Sequence, residues 1–231
     1  MDNNYCYVSL LGSDDYLQGI FGLHYSLSLT KPKYPFIIIA VDTLSKTTFI
    51  QLEEHKINYI KVKDLASYKD DKERKTNRYY CTVNKIYILN MPYDKIFFID
   101  GDSIILHNID YVFDQEPPKA NMAGLYGGED GIMGGYFLVK PDEKIFNSLY
   151  AQYPYPHGTV DVNLLNQYYR NSKWIELNHN NIYHNSGLIK YWMGQKLETY
   201  KEVKNYLNII ITALLQLEKY NIIEEWFFTG R

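Results

Sequence analysis

Apolar and polar positions along the first sixty residues fall into blocks that predict strand, helix, strand, helix, strand. Cys6 to Leu11 is an apolar run of strand length, followed by the polar loop Gly12-Ser13-Asp14-Asp15. From Tyr16 to Leu29 the apolar residues Leu17, Ile20, Phe21, Leu23 and Leu27 return at helical spacing. Lys31-Pro32-Lys33-Tyr34-Pro35 interrupts the chain, and Phe36 to Val41 is then continuously apolar and rich in Ile, the pattern of a strand covered on both faces. Thr43 to Glu54 predicts a second helix and Asn58 to Val62 a third strand. This alternation predicts an α/β fold with a mostly parallel central sheet flanked by helices.

Further along, residues 65–78 are charged and polar and are expected to form a mobile loop, a lid over a bound ligand or else a solvated linker. Thr82 to Asn90 predicts a helix ending before Pro92, and Lys95 to Ile99 a buried strand that runs into Asp100-Gly101-Asp102. A small strand near Ile104-Leu106, a turn near Asn108-Asp110, and strands over Asn121 to Tyr126 and Gly135 to Val139 follow. Helices are expected over 142–151 and 160–169, with a short strand at Trp174 to Leu177. The last forty residues read as helical. Asn208, Thr212 and Gln216 form a polar stripe on an otherwise apolar helix, which favours packing on its own domain over dimer contact or a membrane surface. The expected division is a main domain over 1–192 and a helical C-terminal extension over 193–231 packed on it.

Composition narrows the classes. The chain has 231 residues, 46% of them hydrophobic, enough for a sizeable core. Its formal net charge of −3 supplies no basic field for a nucleic-acid backbone, so no nucleic-acid partner is expected. Two cysteines, Cys6 and Cys81, form neither a disulfide framework nor a Cys-x-x-Cys metal spacing. Met1 to Asn4 is polar, without a basic stretch leading into an apolar one, and no apolar run reaches about 18 residues. The expectation is a cytoplasmic chain without a transmembrane anchor.

Asp100-Gly101-Asp102 carries the strongest chemical signal. Ligands of α/β sheets bind outside the carboxyl ends of the strands, where a buried strand delivers both acids. Residues i and i+2 of an extended backbone point to one side, so the two carboxylates can face one cation, and carboxylate oxygens suit Mg²⁺ or Mn²⁺. Gly101 leaves room for a diphosphate. The alternative is a solvated Asp-Gly turn. The segment His184-Asn185-Ser186-Gly187-Leu188-Ile189-Lys190-Tyr191-Trp192 adds an imidazole ligand, a glycine for close backbone approach and a lysine point charge. Alone it is weak. Combined with the acids, it describes a site for a metal-bound diphosphate leaving group.

These features occur in order. Val8-Ser9-Leu10-Leu11 with Tyr16 and Gly19, Lys85, Asp100-Gly101-Asp102, Gly134-Gly135, Asp161 with Leu165-Asn166, and His184-x-x-Gly187-x-x-Lys190-x-Trp192 together resemble glycosyltransferase family 8, the glycogenin-like group, over residues 5–192. The resemblance implies a GT-A fold, a UDP-sugar donor, a Mn²⁺ (or Mg²⁺) cofactor, transfer with retention of configuration, and an acceptor hydroxyl on a protein or glycan.

By the same resemblance, Asp100, Asp102 and His184 hold the metal. Leu10, Leu11 and Tyr16 form the uridine pocket, while Lys85, Gly187 and Lys190 meet the diphosphate and donor sugar, with Arg78 as helper. Gly101, Gly134 and Gly135 allow close approach of the donor. Asp130 and Asp161 are the acids around the transferred sugar, Asp161 as nucleophile or cation stabiliser, and Lys190 steadies the leaving group. The chain departs from the family where an Asn-Ser-Gly turn becomes Met133-Gly134-Gly135 and an Asp-Gln pair becomes Asp161-Val162. A pocket without those amides cannot demand the hydroxyls they bind, so glucose is the default donor sugar and N-acetylglucosamine, galactose and xylose stay open. Two rival readings are a UDP-sugar-binding protein with little or no transferase activity, and a sugar nucleotidyltransferase.

Overall fold

The computed structural model describes residues 4–70, 72–73, 77–120, 131–132, 134–175, 177, 182–184 and 200–219. Its early strands are β1 (Tyr5–Leu11), β2 (Phe36–Val41), β3 (Asn58–Val62), β4 (Lys95–Ile99) and β5 (Ser103–Ile105). Later come β6 (Lys119–Ala120), β7 (Tyr136–Val139), β8 (Lys173–Trp174) and β9 (Ile182–His184). The α-helices are α1 (Leu17–Leu29), α2 (Lys46–Glu54), α3 (Glu143–Tyr150), α4 (Asp161–Tyr169) and α5 (Tyr200–Lys219). The chain forms two compact units, one drawn from Met1–Leu17, Lys33–Gly101 and Asp110–Glu176, the other from Gln18–Pro32, Asp102–Ile109 and Leu177–Arg231.

The first unit holds a sheet in the order β3-β2-β1-β4-β7-β6-β8. Strands β3, β2, β1 and β4 are mutually parallel, β7 runs antiparallel to both β4 and β6, and β8 is parallel to β6. The central strands are continuously apolar because both of their faces are covered: every residue of β2 is buried, as is all of β1 after Tyr5 and all of β4 after Lys95. The edge strand β3 is only partly covered. β1 pairs with β2 on one side (Leu10 opposite Ile39) and with β4 on the other (Val8 opposite Phe98). The chain thus winds outward from β1 in one direction, then restarts on its other flank at β4. That reversal is a topological switch point, where the carboxyl ends of adjacent strands leave a crevice.

Aromatic residues fill much of this core. Tyr5 stacks on Phe113, Tyr7 and Tyr34 meet the same ring edge-on, and the Tyr7 hydroxyl donates to Asp110 Oδ1 at 2.8 Å. Phe98 of β4 stacks on Phe137 of β7, with ring centroids 4.9 Å apart. Helix ends are closed by short polar side chains. Ser45 Oγ accepts from the Thr48 amide at the start of α2, and Asp142 Oδ1 accepts from the Lys144 and Ile145 amides at the start of α3.

In the second unit β5 and β9 pair antiparallel, with Ser103 opposite His184 and Ile105 opposite Ile182. The Ile105 amide donates to Ser26 Oγ of α1 at 3.0 Å. Helices α1 and α5 meet through Phe21 and Tyr200, whose rings lie edge to face, through His24 and the Tyr200 hydroxyl, and through the Tyr25 hydroxyl, which donates to Asn208 Oδ1 at 2.8 Å. Asn208, the first residue of the polar stripe, is thereby satisfied inside the unit. Among the described residues no helix is long and apolar enough to cross a membrane.

Several elements differ from the sequence expectation. The helix expected over Thr82 to Asn90 is a run of tight 3-10 turns that begins earlier, at Arg78. The strand expected near Trp174 to Leu177 is Lys173–Trp174, and β6 and β9 lacked an alternating or continuous pattern long enough to be read. The strand expected over 121–126 lies outside the described residues.

Candidate active site

β4 ends at Ile99, and Asp100 is the first residue beyond the ladder. Its backbone N–H still donates to the Gly135 carbonyl at 2.8 Å, which fixes the residue where the strand stops. Its Oδ1 lies 2.9 Å from Nζ of Lys85, a residue of the 78–90 segment that is 1% exposed. The same ammonium donates to the Gly134 carbonyl at 2.7 Å and lies 3.1 Å from Asp161 Oδ2. The Gly134 carbonyl takes a hydrogen bond from the ammonium, and the two carboxylates flank it as ion pairs. Below it, the Phe98 ring centroid is 4.6 Å away.

The electrostatics follow from this arrangement. Burial by itself would push the Lys85 ammonium down toward neutrality, but the Asp100 and Asp161 carboxylates outweigh it and hold the group charged, above the ordinary lysine range. Two carboxylates face one ammonium, so Lys85 alone neutralises one of them. Gly134 covers the trio. A Cβ on it would lie 3.5 Å from Lys85 Nζ, 3.6 Å from Asp161 Oδ2 and 3.9 Å from Asp100 Oδ2. Any side chain there would occupy the space directly over both acids.

Asp161 is the first residue of α4 and is 4% exposed. A carboxylate at a helix N-terminus is favoured by the unpaired amides there. The preceding residue is Val160, which has no capping side chain, so the end is closed from elsewhere. The Asp161 amide donates to Thr82 Oγ1 at 3.3 Å, the Val160 amide to Asn163 Oδ1 at 3.1 Å, and the Thr82 hydroxyl donates onward to the Tyr79 carbonyl. Thr82 was not among the sequence candidates. Its role depends on a contact across 79 positions, for which no local pattern exists.

The carboxyl end of β1 contributes the next wall. Leu10 is nearly covered and Leu11 is fully buried, so what Leu11 offers a ligand is backbone. Gly12 then passes against Cys81, so closely that an added Cβ would lie 2.5 Å from Sγ. Asp14 turns the loop onto α2 by accepting from the Ser45 amide and the Thr48 hydroxyl, which sets Tyr16, half-buried, on the 3-10 turn Asp14–Tyr16. Asn84, one residue before Lys85, accepts from the Leu65 amide and donates to Asp64, anchoring the start of the 65–78 segment. At the far end of that segment Glu73 accepts from His157 Nε2 at 2.8 Å.

Gly101 is buried. Asp102 opens the second unit with Oδ1 shielded from solvent, and the β5–β9 register puts the His184 backbone opposite its neighbour Ser103. Among the described residues no three His, Cys, Asp or Glu side chains gather as a metal cluster. The side chains of His184 and Arg78, and the residues Asp130, Met133, Gly187 and Lys190, lie outside the described set.

No family model matches the chain. An uncharacterized protein of Acanthamoeba polyphaga mimivirus is 27% identical over 160 residues, 62% of this chain and 57% of that protein. Glycogenin-1 of Caenorhabditis elegans is 26% identical over 178 residues, 74% of this chain and 40% of glycogenin-1. Galactinol synthase 3 of Arabidopsis thaliana is 30% identical over 112 residues, 47% of this chain and 33% of that enzyme. The chain therefore spans about half or less of the length of these curated relatives. Among solved structures, the galactosyltransferase LgtC in complex with donor and acceptor sugar analogs superposes with a TM-score of 0.53 at 13% identity, covering 73% of this chain and 72% of that one. The glycosyltransferase GlyE of Streptococcus pneumoniae superposes with a TM-score of 0.54 at 14% identity, covering 90% of this chain and 64% of GlyE. These likenesses define the fold.

Proposed function

This chain is a relative of the glycogenins and galactinol synthases of glycosyltransferase family 8 and has the GT-A fold, and from that premise we propose that it is a metal-dependent, retaining glycosyltransferase. It moves a hexose from a UDP-sugar to a hydroxyl acceptor. The observation that carries this reading is the buried Lys85 ammonium gripping Asp100, Asp161 and the Gly134 carbonyl at the carboxyl end of β4, beside the switch point of the sheet. Such a cluster presents two acids side by side to a ligand, with the ammonium offsetting their mutual repulsion.

Asp100, Asp102 and His184 are the residues that would hold Mn²⁺ or Mg²⁺. Two carboxylates and one imidazole form a donor set that suits either ion, and a carboxylate oxygen shielded from solvent, as in Asp102, gains from a cation. Bound there, the ion supplies positive charge against the diphosphate leaving group. Lys190 and Gly187 meet the same diphosphate, with Arg78 as a helper. Tyr16 covers the base, and Leu10 and Leu11 line its pocket. Gly101, Gly134 and Gly135 leave the donor room to lie close to the backbone.

Asp161 faces the transferred sugar with Asp130. Held by Lys85 and the start of α4, its carboxylate is better suited to orienting hydroxyls and stabilising developing positive charge than to attacking carbon. An ammonium 3.1 Å away withdraws the electron density a nucleophile needs. Retention then proceeds by attack of the acceptor on the face the leaving group vacates. The donor sugar is glucose by default.

The test is release of UDP from a panel of UDP-sugars with and without Mn²⁺, using Asp102→Asn as control. Metal-dependent release from one sugar, lost in the variant, establishes the activity and names the donor. Metal-dependent UDP binding without turnover of any sugar, acceptors included, transfers the site to a binding protein. Absence of UDP binding rejects the reading.

A further inference from the structure

Asn166 sits on α4, five positions beyond Asp161, and its side chain reaches the main chain of another segment. The Ile132 amide donates to Asn166 Oδ1 at 2.7 Å, and Asn166 Nδ2 donates back to the Ile132 carbonyl at 3.1 Å. One side-chain amide thus satisfies both main-chain groups of a residue that is fully buried and belongs to no strand ladder. The approach is so close that Gly131 leaves no alternative. A Cβ there would lie 2.5 Å from Oδ1, 2.9 Å from Cγ and 3.0 Å from Nδ2 of Asn166.

Two residues further on, the same segment reaches the acids. The Gly134 carbonyl accepts from Lys85 Nζ, and the Gly135 carbonyl accepts from the Asp100 amide. The segment is therefore fastened at one end by Asn166 and at the other by Lys85 and Asp100. A single helix carries Asp161 at its start and the clamp on its second turn, so it fixes the height of the Gly134 carbonyl relative to the Asp161 carboxylate.

We infer that Asn166 is a positioning residue of the reaction centre: it sets the Gly134-Gly135 turn, and through the Gly134 carbonyl it aims the Lys85 ammonium between Asp100 and Asp161. Asn166 touches none of these three itself. The inference rests on the transferase reading for its kinetic consequence, but the clamp is a separate physical claim.

The experiment compares the full chain with Asn166→Ala, Gly131→Ala and the double variant, by hydrogen–deuterium exchange mass spectrometry, thermal unfolding and UDP-glucose turnover with Mn²⁺. For Asn166→Ala, exchange in peptides spanning 131–139 rises about tenfold while β1 and β2 peptides are unchanged. The kcat falls about ten- to a hundredfold, with KM moving less than about threefold. Gly131→Ala, which displaces the amide, reproduces this loss in the wild-type background and adds little in the Asn166→Ala background, because the clash is gone. Unchanged exchange, or faster exchange with full kcat, overturns the inference, as does additivity of the two substitutions. A wild-type chain that turns over neither UDP-glucose nor any other UDP-sugar of the panel above rejects the transferase reading instead, and exchange together with the double-variant unfolding then decides the clamp.

Discussion

Lys85 Nζ and Asp161 Oδ2 lie 3.1 Å apart, with Lys85 1% and Asp161 4% exposed, although they are 76 positions apart in the chain. An ion pair this deeply buried is not evidence of net stability, since both partners gave up hydration to form it. Its value is geometric. The ammonium holds Asp161 and Asp100 in one cluster, which their mutual repulsion would otherwise open.

Removal of the cation exposes that dependence. Lys85→Met keeps most of the volume but leaves Asp100 and Asp161 facing each other, and we expect it to destabilise the fold by about 3–5 kcal/mol. Urea denaturation at pH 7 measures this directly. A Lys85→Met chain as stable as wild type at pH 7 would mean that the two acids do not share this cluster in solution.

Gly12 and Gly134 separate steric need from functional need. A Cβ at Gly12 collides with Cys81 at 2.5 Å, whereas one at Gly134 meets its neighbours at 3.5–3.9 Å, ordinary contact. Gly12→Ala should therefore cost about 1–3 kcal/mol of stability, and Cys81→Ala in the same chain should restore part of it. Gly134→Ala should unfold within about 0.5 kcal/mol of wild type. Its effect belongs in donor binding, since the methyl fills the space over Asp100 and Asp161. UDP-sugar titration of the two variants distinguishes them.

What was legible in the sequence depended on range. The runs Cys6 to Leu11, Phe36 to Val41 and Lys95 to Ile99 state their own burial, and the alternation of strand and helix led to the parallel half of the sheet, but not to the strand order that puts the switch point between β1 and β4. Asp100 was legible because it follows a buried strand. Thr82 was not, because its hydroxyl meets the Asp161 amide only after folding, and Asn166 stood in the motif without any sign that it binds Ile132. The short pairs β6 and β8 are two residues each and carry no period to detect. Val83, Ile86 and Leu89 of the 78–90 segment recur at i, i+3, a spacing that both an α-helix and a 3-10 helix place on one face, and the segment was read as the commoner type.

Alkaline pH should unfold the chain through groups that burial keeps neutral. Burial, aided by the charge of Asp64, pushes the Cys81 thiol up to about 12, and burial likewise pushes the Tyr155 and Tyr169 phenols up to about 12 each. The unfolded chain loses these protons near pH 9 for the thiol and pH 10 for the phenols, while the folded chain retains them. Stability is then complete below pH 9 and falls from there to about pH 12. Urea midpoints from pH 7 to 11 should be level at first and then decline. Phenolate absorbance at 295 nm should show a late fraction of tyrosines that ionises only with unfolding. A flat stability profile to pH 11 would contradict the burial of these groups.

Thr82 offers the most selective probe of how Asp161 is held. Its hydroxyl accepts from the Asp161 amide and donates to the Tyr79 carbonyl, the work an N-cap side chain performs when Val160 cannot. Thr82→Val retains the shape and the β-branch but removes both hydrogen bonds. The expected cost is about 1 kcal/mol of stability, since one helix amide loses its acceptor. Thr82→Ser keeps the hydroxyl and should stay close to wild type, which assigns the loss to the hydrogen bond rather than to packing. Because the start of α4 carries Asp161, the Val variant should also lower kcat for UDP-sugar turnover more than it raises KM, while the Ser variant leaves both near their wild-type values. Equal behaviour of the Val and Ser variants in both measurements would show that the hydroxyl does not cap α4.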